Sequence, residues 1–177
     1  MRALVVYESM FGNTRKIAEA IAAGLASDAA SGIEVSVVEV GVAPAALDPQ
    51  LDLLVAGGPT HAFGLSRPRT RRSAAQQASR GVVSTGIGLR EWLAALPPAA
   101  GVTVAAFDTR SAKPRWMPGS AARAAARQLR GLGFRLVGRP ARFCVSGITG
   151  PLVPGEIERA QHWGETLGAA VSARQPA

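Results

Sequence analysis

A three-layer α/β sandwich around a parallel sheet of about five strands is the architecture this sequence predicts, and three observations carry the prediction. Short, β-branched-rich runs alternate with segments of helical periodicity along the chain. Most of those runs lack in/out alternation, as expected of strands buried on both faces. At 177 residues, 47% hydrophobic and 18% charged, the chain has the size and apolar content of one domain with a well-buried core.

The first run, Ala3-Leu4-Val5-Val6-Tyr7, is followed by a helix in which Ile17, Ala18, Ile21, Ala22 and Leu25 recur on one face. Asn13 is placed as its N-cap and Gly32 lies beyond its end. Ile33 to Val40 then completes a βαβ unit, and Leu51 to Gly57 and Val102 to Asp108 are the third and fourth strands. Gly88 to Leu96 reads as a helix, as does Ala121 to Leu132, opened by Pro118, Gly119 and Ser120. A last helix, Glu156 to Val171, is opened by Pro154 and Gly155 and aligns Ile157, Ala160, Gly164, Leu167 and Val171. Phe134 to Val137 and Arg142 to Ser146 are strand-like pieces around Gly138, Arg139 and Pro140, readable as one strand interrupted near its middle. There is no internal repeat. Residues 1–173 form a single domain, and Arg174 to Ala177 reads as a frayed C-terminal tail.

Several function classes drop out. No apolar run approaches the roughly 20 residues that span a bilayer, and the stretch from Met1 to Tyr7 is too short for a secretory core, so a cytoplasmic location is the expectation. The single cysteine, Cys144, excludes an internal disulfide framework, and one cysteine with two histidines does not make a standard zinc site. No metal is expected. The formal charge of +8 suits acidic partners, but 18 Arg against two Lys, beside 34 Ala, also fits a compositional bias of the kind a GC-rich genome produces.

In an open parallel sheet, ligands sit beyond the carboxyl ends of the strands, which directs attention to Glu8 to Thr14, Gly58 to Arg67 and Asp108 to Pro118. The first loop, Glu8-Ser9-Met10-Phe11-Gly12-Asn13-Thr14, joins a buried strand directly to a helix. Its backbone N–H groups and the helix N-terminus would face outward together, with Ser9, Asn13 and Thr14 adding side-chain donors, which makes a phosphate cradle. Neither common nucleotide fingerprint is present.

On these residues the chain resembles the flavodoxin-like family of FMN proteins over nearly its whole length. Ser9, Gly12 and Thr14 fall on the first, fourth and last positions of that family's T/S-x-T-G-x-T phosphate loop. Pro59, Thr60, His61, Ala62, Phe63 and Gly64, following Gly58, look like its second flavin loop. Asp108, Thr109 and Arg110 begin the loop that in relatives contacts the pyrimidine edge of the flavin. The resemblance implies a doubly wound sheet of order 2-1-3-4-5, FMN as cofactor, and electron transfer with a redox partner or small-molecule donor and acceptor, as a carrier or a small NAD(P)H/quinone-type reductase. It leaves homo-oligomerisation open. Three departures stand out: Phe11 replaces a hydroxyl residue, the usual aromatic stackers are reduced to His61 and Phe63 with Trp116 further on, and the chain is basic where electron-carrier flavodoxins are acidic.

His61, a loop imidazole, reads either as a flavin or substrate contact or as a solvated side chain. His162 reads as part of a solvated face, and Cys144 as a small buried hydrophobe. Arg67, Arg69, Arg71 and Arg72 form a basic run at a helix start, where cations oppose the dipole by roughly 0.3 to 1 kcal/mol each. That run would suit an anionic substrate or the phosphates of NAD(P)H, and Arg67 with Arg110 could face the flavin. Arg123, Arg127 and Arg130 read as an exposed stripe. Two other classes are weighed: a hydrolase using Ser9, His61 and Asp108, disfavoured by the lack of a G-x-S-x-G elbow, and a cofactor-free module binding an acidic protein or nucleic acid. Specific nucleic-acid binding is disfavoured by 5% aromatic content and dispersed Arg.

Overall fold

The computed structural model describes residues 1–27, 32–79, 81–99, 101–112 and 118–173. Its elements run β1 (Arg2–Tyr7), α1 (Asn13–Leu25), β2 (Glu34–Glu39), β3 (Leu53–Pro59), α2 (Pro68–Gln77), α3 (Leu89–Ala95), β4 (Thr103–Ser111), α4 (Ala121–Gly131), β5 (Arg135–Leu136), β6 (Ala141–Val145) and α5 (Glu156–Ser172). Every strand pair is parallel, and the order is β2-β1-β3-β4-β5, with β6 also paired to β4. The expected three-layer α/β class and strand order are both present.

The fifth strand position is shared. β5 pairs with the start of β4, Thr103 opposite Arg135, whereas β6 pairs with its end, from Phe107 opposite Ala141 to Ser111 opposite Val145. Gly138, at φ +66°, and Pro140, which has no N–H, interrupt the ladder between them. β4 also runs three residues beyond the expected end at Asp108, because β6 supplies partners for Thr109, Arg110 and Ser111.

The sheet is buried on both faces by different helices. On one face Ile17, Ala18, Ile21 and Leu25 of α1 join Ala160, Leu167 and Val171 of α5 over Val5, Val55 and Phe107. On the other, Leu89, Trp92 and Leu93 of α3 and Ala122, Ala126 and Leu129 of α4 cover Val6, Leu54 and Val104. The α1–α5 contact needs two glycines: a Cβ on Gly24 would sit 1.9 Å from the Gln161 carbonyl oxygen, and one on Gly164 would sit 2.2 Å from that of Ile21. Backbone therefore meets backbone at this crossing.

Three expectations are corrected here. β2 is an edge strand, partly exposed along its length rather than buried on both faces. Ile157 lies at the rim of the α5 face and is 38% exposed, while its predicted companions Ala160, Gly164, Leu167 and Val171 are buried. Cys144 is half-buried, since its strand borders solvent on one side. Residues 174–177, expected as a tail, lie outside the described residues. None of the described helices is long and apolar enough to cross a membrane.

Candidate functional site

With β1 between β2 and β3, the chain leaves β1 toward one face of the sheet and β3 toward the other, and the divergence opens a crevice at their carboxyl ends. A cavity of about 300 Å³ occupies it. Met10, Phe11, Asn13 and Thr14 line one side, and Pro59, Thr60, His61 and Ala62 another. Thr109, Arg110 and Ser111 form its floor at the end of β4. The remaining walls come from Thr70, Ser73, Ala74 and Gln77 of α2 and from Val145, Gly147 and Ile148 after β6.

The first loop is held from beneath. Ser9 is fully buried, and its Oγ accepts hydrogen bonds from the N–H groups of Gly12 (3.1 Å) and Arg15 (3.3 Å). Its own N–H donates to Ser84 Oγ (2.9 Å). Ser9 thus shapes the turn and does not line the cavity, in contrast to its expected role as a direct donor. Gly12, at φ +85°, takes the left-handed conformation that turns the chain into α1 and is itself the N-cap. Asn13 is therefore the first helical residue, not the cap. Its Nδ2 donates to the Thr149 carbonyl (2.8 Å) and pins the loop after β6 over the cavity.

This arrangement leaves backbone donors at the cavity wall. The N–H groups of Phe11, Asn13 and Thr14 have no acceptor among the described residues, and all three residues line the cavity at the positive end of α1. Such a set is built for an anion. Thr14 Oγ1 shares a hydrogen bond with Thr109 Oγ1 (2.7 Å), so Thr109 supports the first loop from the sheet.

The second loop is a tight turn closed by reciprocal hydrogen bonds between His61 and Gly64 (2.8 and 3.0 Å). Ala62 (φ +41°) and Phe63 (φ +78°) both adopt positive φ, the pattern of a type I′ turn without its usual Asn or Gly. Packing sustains it: a Cβ at Gly119 would lie 1.9 Å from the Phe63 carbonyl oxygen, so only glycine admits this backbone there. The Phe63 ring points outward, 58% exposed, and does not line the cavity. Burial, reinforced by the nearby Arg71 cation, pushes the His61 pKa below its usual value of 6.5. The imidazole facing the cavity is therefore neutral at pH 7.

Asp108 ties the pieces together. Fully buried, its Oδ2 accepts from Thr60 Oγ1 (3.0 Å), Ser120 Oγ (2.5 Å) and the Ala122 N–H (3.0 Å). Thr60 Oγ1 in turn accepts from the Ala121 N–H (3.0 Å). One carboxylate thus fixes the second loop, β4 and the N-terminus of α4, where a negative charge is also favoured by the dipole. Asp108 itself does not reach the cavity. Arg110, 8% exposed, donates to the Gly119 carbonyl (3.0 Å) and borders the cavity.

A second buried carboxyl braces the rear of the site. Glu8 Oε2 accepts from the Leu89 N–H (2.8 Å), and burial raises its pKa, an effect that bonding to Ser66 and Leu89 only partly opposes. Arg71 donates to Ser66 Oγ (2.9 Å) and to Glu91 Oε2 (3.0 Å), linking α2 to α3.

Of the residues expected at the site, Met10, Phe11, Asn13, Thr14, Pro59, Thr60, His61, Ala62, Thr109 and Arg110 converge on the cavity, whereas Ser9, Gly12, Phe63, Gly64 and Asp108 stand behind or beside it. Arg67 does not face it: it is exposed, as the N-cap of α2. Trp116 lies outside the described residues. Ser9, His61 and Asp108 share no hydrogen bond, so the triad geometry does not form. Arg123, Arg127 and Arg130 are exposed, and His162 is an exposed partner of Glu165. No group of three or more His, Cys, Asp or Glu that could hold a metal occurs among the described residues. The α2 wall and the loop after β6 were not anticipated, although that loop also follows a strand's carboxyl end and the same rule would have selected it.

The flavodoxin family model matches residues 5–169. Among solved structures, a flavodoxin from the domain Archaea is similar at 19% identity, covering 97% of this chain and 99% of its own, with a TM-score of 0.65. Oxidised flavodoxin 1 from Bacillus cereus is similar at 17% identity, with 99% and 100% coverage and a TM-score of 0.67. The flavodiiron core of Flv1 from Synechocystis sp. PCC6803 is similar at 18% identity over 99% of this chain and 37% of that one, with a TM-score of 0.60. No curated protein matches significantly. The family match spans both the turn into α1 and the end of β4, and with it this chain belongs to the flavodoxin family, whose cofactor is FMN and whose activity is electron transfer.

Proposed function

We propose that the crevice holds FMN non-covalently, with the phosphate on the N–H groups of Phe11, Asn13 and Thr14, and that the protein works as a small NAD(P)H/quinone-type reductase or as an electron carrier. The observation that carries the reading is the set of three acceptor-free N–H groups opening into one cavity at the start of α1. Bound FMN supplies one- and two-electron redox chemistry. The chain's residues position and tune it. Pro59 to Ala62 and Thr109 to Ser111 border the space left for the ring, and neutral His61 offers one nitrogen as donor and the other as acceptor. Arg110 contributes a shielded positive charge, which favours the more negative, reduced form of a bound redox group. A raised potential suits electrons from NAD(P)H and delivery to quinones, and this favours the reductase reading over low-potential transfer.

Titration of apoprotein with FMN, followed by quenching of flavin fluorescence, is the test. Thr14→Val removes the hydroxyl that joins the loop to Thr109, and Ser9→Ala removes the acceptor that shapes it; each should weaken FMN by roughly 5- to 150-fold, equivalent to about 1–3 kcal/mol. Unchanged affinity in both would move the phosphate elsewhere. Failure of wild-type apoprotein to bind FMN would leave the cofactor-free module as the reading. Turnover of NADPH with a quinone by the loaded protein separates reductase from carrier.

A further inference from the structure

Between Asp52 and Glu91 the sequence contains no acidic residue at all, yet it carries Arg67, Arg69, Arg71, Arg72, Arg80 and Arg90. The structure divides the described members of this set into two kinds. Arg71 is paired with Glu91, and Arg90 donates to the carbonyls of Leu65 and Ser66. Arg67, Arg69 and Arg72 are exposed and have no acceptor for their guanidinium groups among the described residues.

Placement makes the second kind informative. At 100° per residue, Arg69 falls about 40° from Ser73 on α2, beside the face that walls the cavity, whereas Arg72 falls about 100° from Ser73, toward the outer side of the helix. Helix-forming chemistry does not explain Arg69: α2 has no acidic residue in its first turn, and a cation there opposes the dipole. Two large apolar side chains stand near the same mouth. Phe63 is 58% exposed on a turn whose positive φ angles hold the ring outward, and Ile148, a cavity-lining residue, is 73% exposed. Apolar anchors set among arginines are the composition of a protein-docking surface.

We propose that this rim, with Arg69 supplying charge at the mouth, Arg72 adding to the positive field of the same helix, and Phe63 and Ile148 supplying apolar contact, docks an acidic electron-carrier protein. The partner's class rests on the electron-transfer reading of the cavity; the charge of its docking face follows from these exposed arginines. Attraction between the two patches raises the association rate and is screened by salt, whereas the Phe63 and Ile148 contacts are not.

The test uses a dye-labelled acidic [2Fe–2S] ferredoxin as probe, with basic cytochrome c as its counterpart, and reads binding to the purified protein by fluorescence anisotropy from 20 to 500 mM NaCl. Because the readout needs no flavin, its outcome is separate from that of the FMN titration. Ferredoxin should bind, cytochrome c should not, and affinity should fall steadily with salt. Arg69→Glu with Arg72→Glu should weaken ferredoxin by at least about tenfold at low salt and flatten the salt dependence. Phe63→Ser should lower affinity while leaving the salt slope unchanged. Circular dichroism confirms that the variants are folded, since none of these side chains is buried. Equal binding of cytochrome c, or a ferredoxin affinity indifferent to the two arginines, would overturn the proposal. So would tighter binding of a single-stranded RNA 20-mer with the same arginine dependence, which would mark the rim as a polyanion surface.

Discussion

Removing the Asp108 carboxylate tests whether one buried acid organises the site. In Asp108→Ala, the hydroxyls of Thr60 and Ser120 and the N–H of Ala122 lose their common acceptor. Hydrogen bonds to a charged group contribute about 1.5–3 kcal/mol each, but the two hydroxyls can rotate toward other acceptors. Ser120 retains its cap to the Arg123 N–H, and Thr60 Oγ1 retains the Ala121 N–H. The Ala122 N–H has no such freedom, and stranding it costs about 1–3 kcal/mol. Loss of the negative charge at the α4 N-terminus adds about 0.3–1 kcal/mol. The two terms together give about 1.3–4 kcal/mol.

Asp108→Asn keeps the shape and one acceptor oxygen, and its amide nitrogen can take the place of Oδ1, which has no hydrogen-bond partner among the described residues. About 1–2 kcal/mol is expected for that change, the difference between a charged and a neutral acceptor. Urea unfolding gives both numbers, and the alanine variant should melt roughly 3–16 °C below wild type at 2–4 °C per kcal/mol for a chain of this size. If Asn destabilises as much as Ala, packing or charge alone governs the position and the shared-acceptor argument fails. An alanine variant within 1 kcal/mol of wild type would sink it outright.

Two further outcomes follow from buried groups elsewhere. Because burial raises the Glu8 pKa above the 4.5 of an exposed carboxyl, the folded state binds the extra proton and wild-type stability falls as pH rises through 4.5 and up to the raised folded value; Glu8→Gln, which keeps an acceptor for Leu89, should gain on wild type across that window and hold its advantage above it, and urea midpoints that track together from pH 4 to 8 would contradict this. Gly164→Ala should destabilise by about 2 kcal/mol because the new Cβ meets the Ile21 backbone, while Gly131→Ala, with nothing within 4 Å, should be neutral or stabilising by up to about 1 kcal/mol; thermal melts that rank them the other way would refute the helix-crossing argument.

What the sequence reveals of this protein divides along a physical line. A βαβ unit announces itself through local periodicity, and the strand-to-helix turn at Glu8 to Thr14 is legible because an apolar run ends, hydroxyl and amide residues follow, and a helical pattern begins. The functions of individual residues within that turn are not local. Ser9 and Asn13 both read as donors to a ligand, yet Ser9 is consumed by the N–H groups of Gly12 and Arg15, and Asn13 by the carbonyl of Thr149, 136 residues away. A side chain's type gives its capacity to hydrogen-bond, and only the fold decides who arrives to use it.

The same reasoning explains two features that local sequence does not announce. Thr109, Arg110 and Ser111 look like loop because they are polar, and they become strand because β6 pairs with them, which in turn puts Thr109 against Thr14 and Arg110 beside the cavity. Ala62 and Phe63 carry no turn signal, since neither residue favours positive φ; the His61–Gly64 pairing and the glycine at 119 impose it from outside. Left-handed φ at a large apolar residue works against the intrinsic preference of the chain, and its result is to hold the Phe63 ring in solvent rather than in the core. Folding stability gains nothing from that placement. A contact made outside the monomer would, and this is why Phe63 belongs with the exposed Arg69 of α2 rather than with the flavin-facing wall that its sequence position suggested.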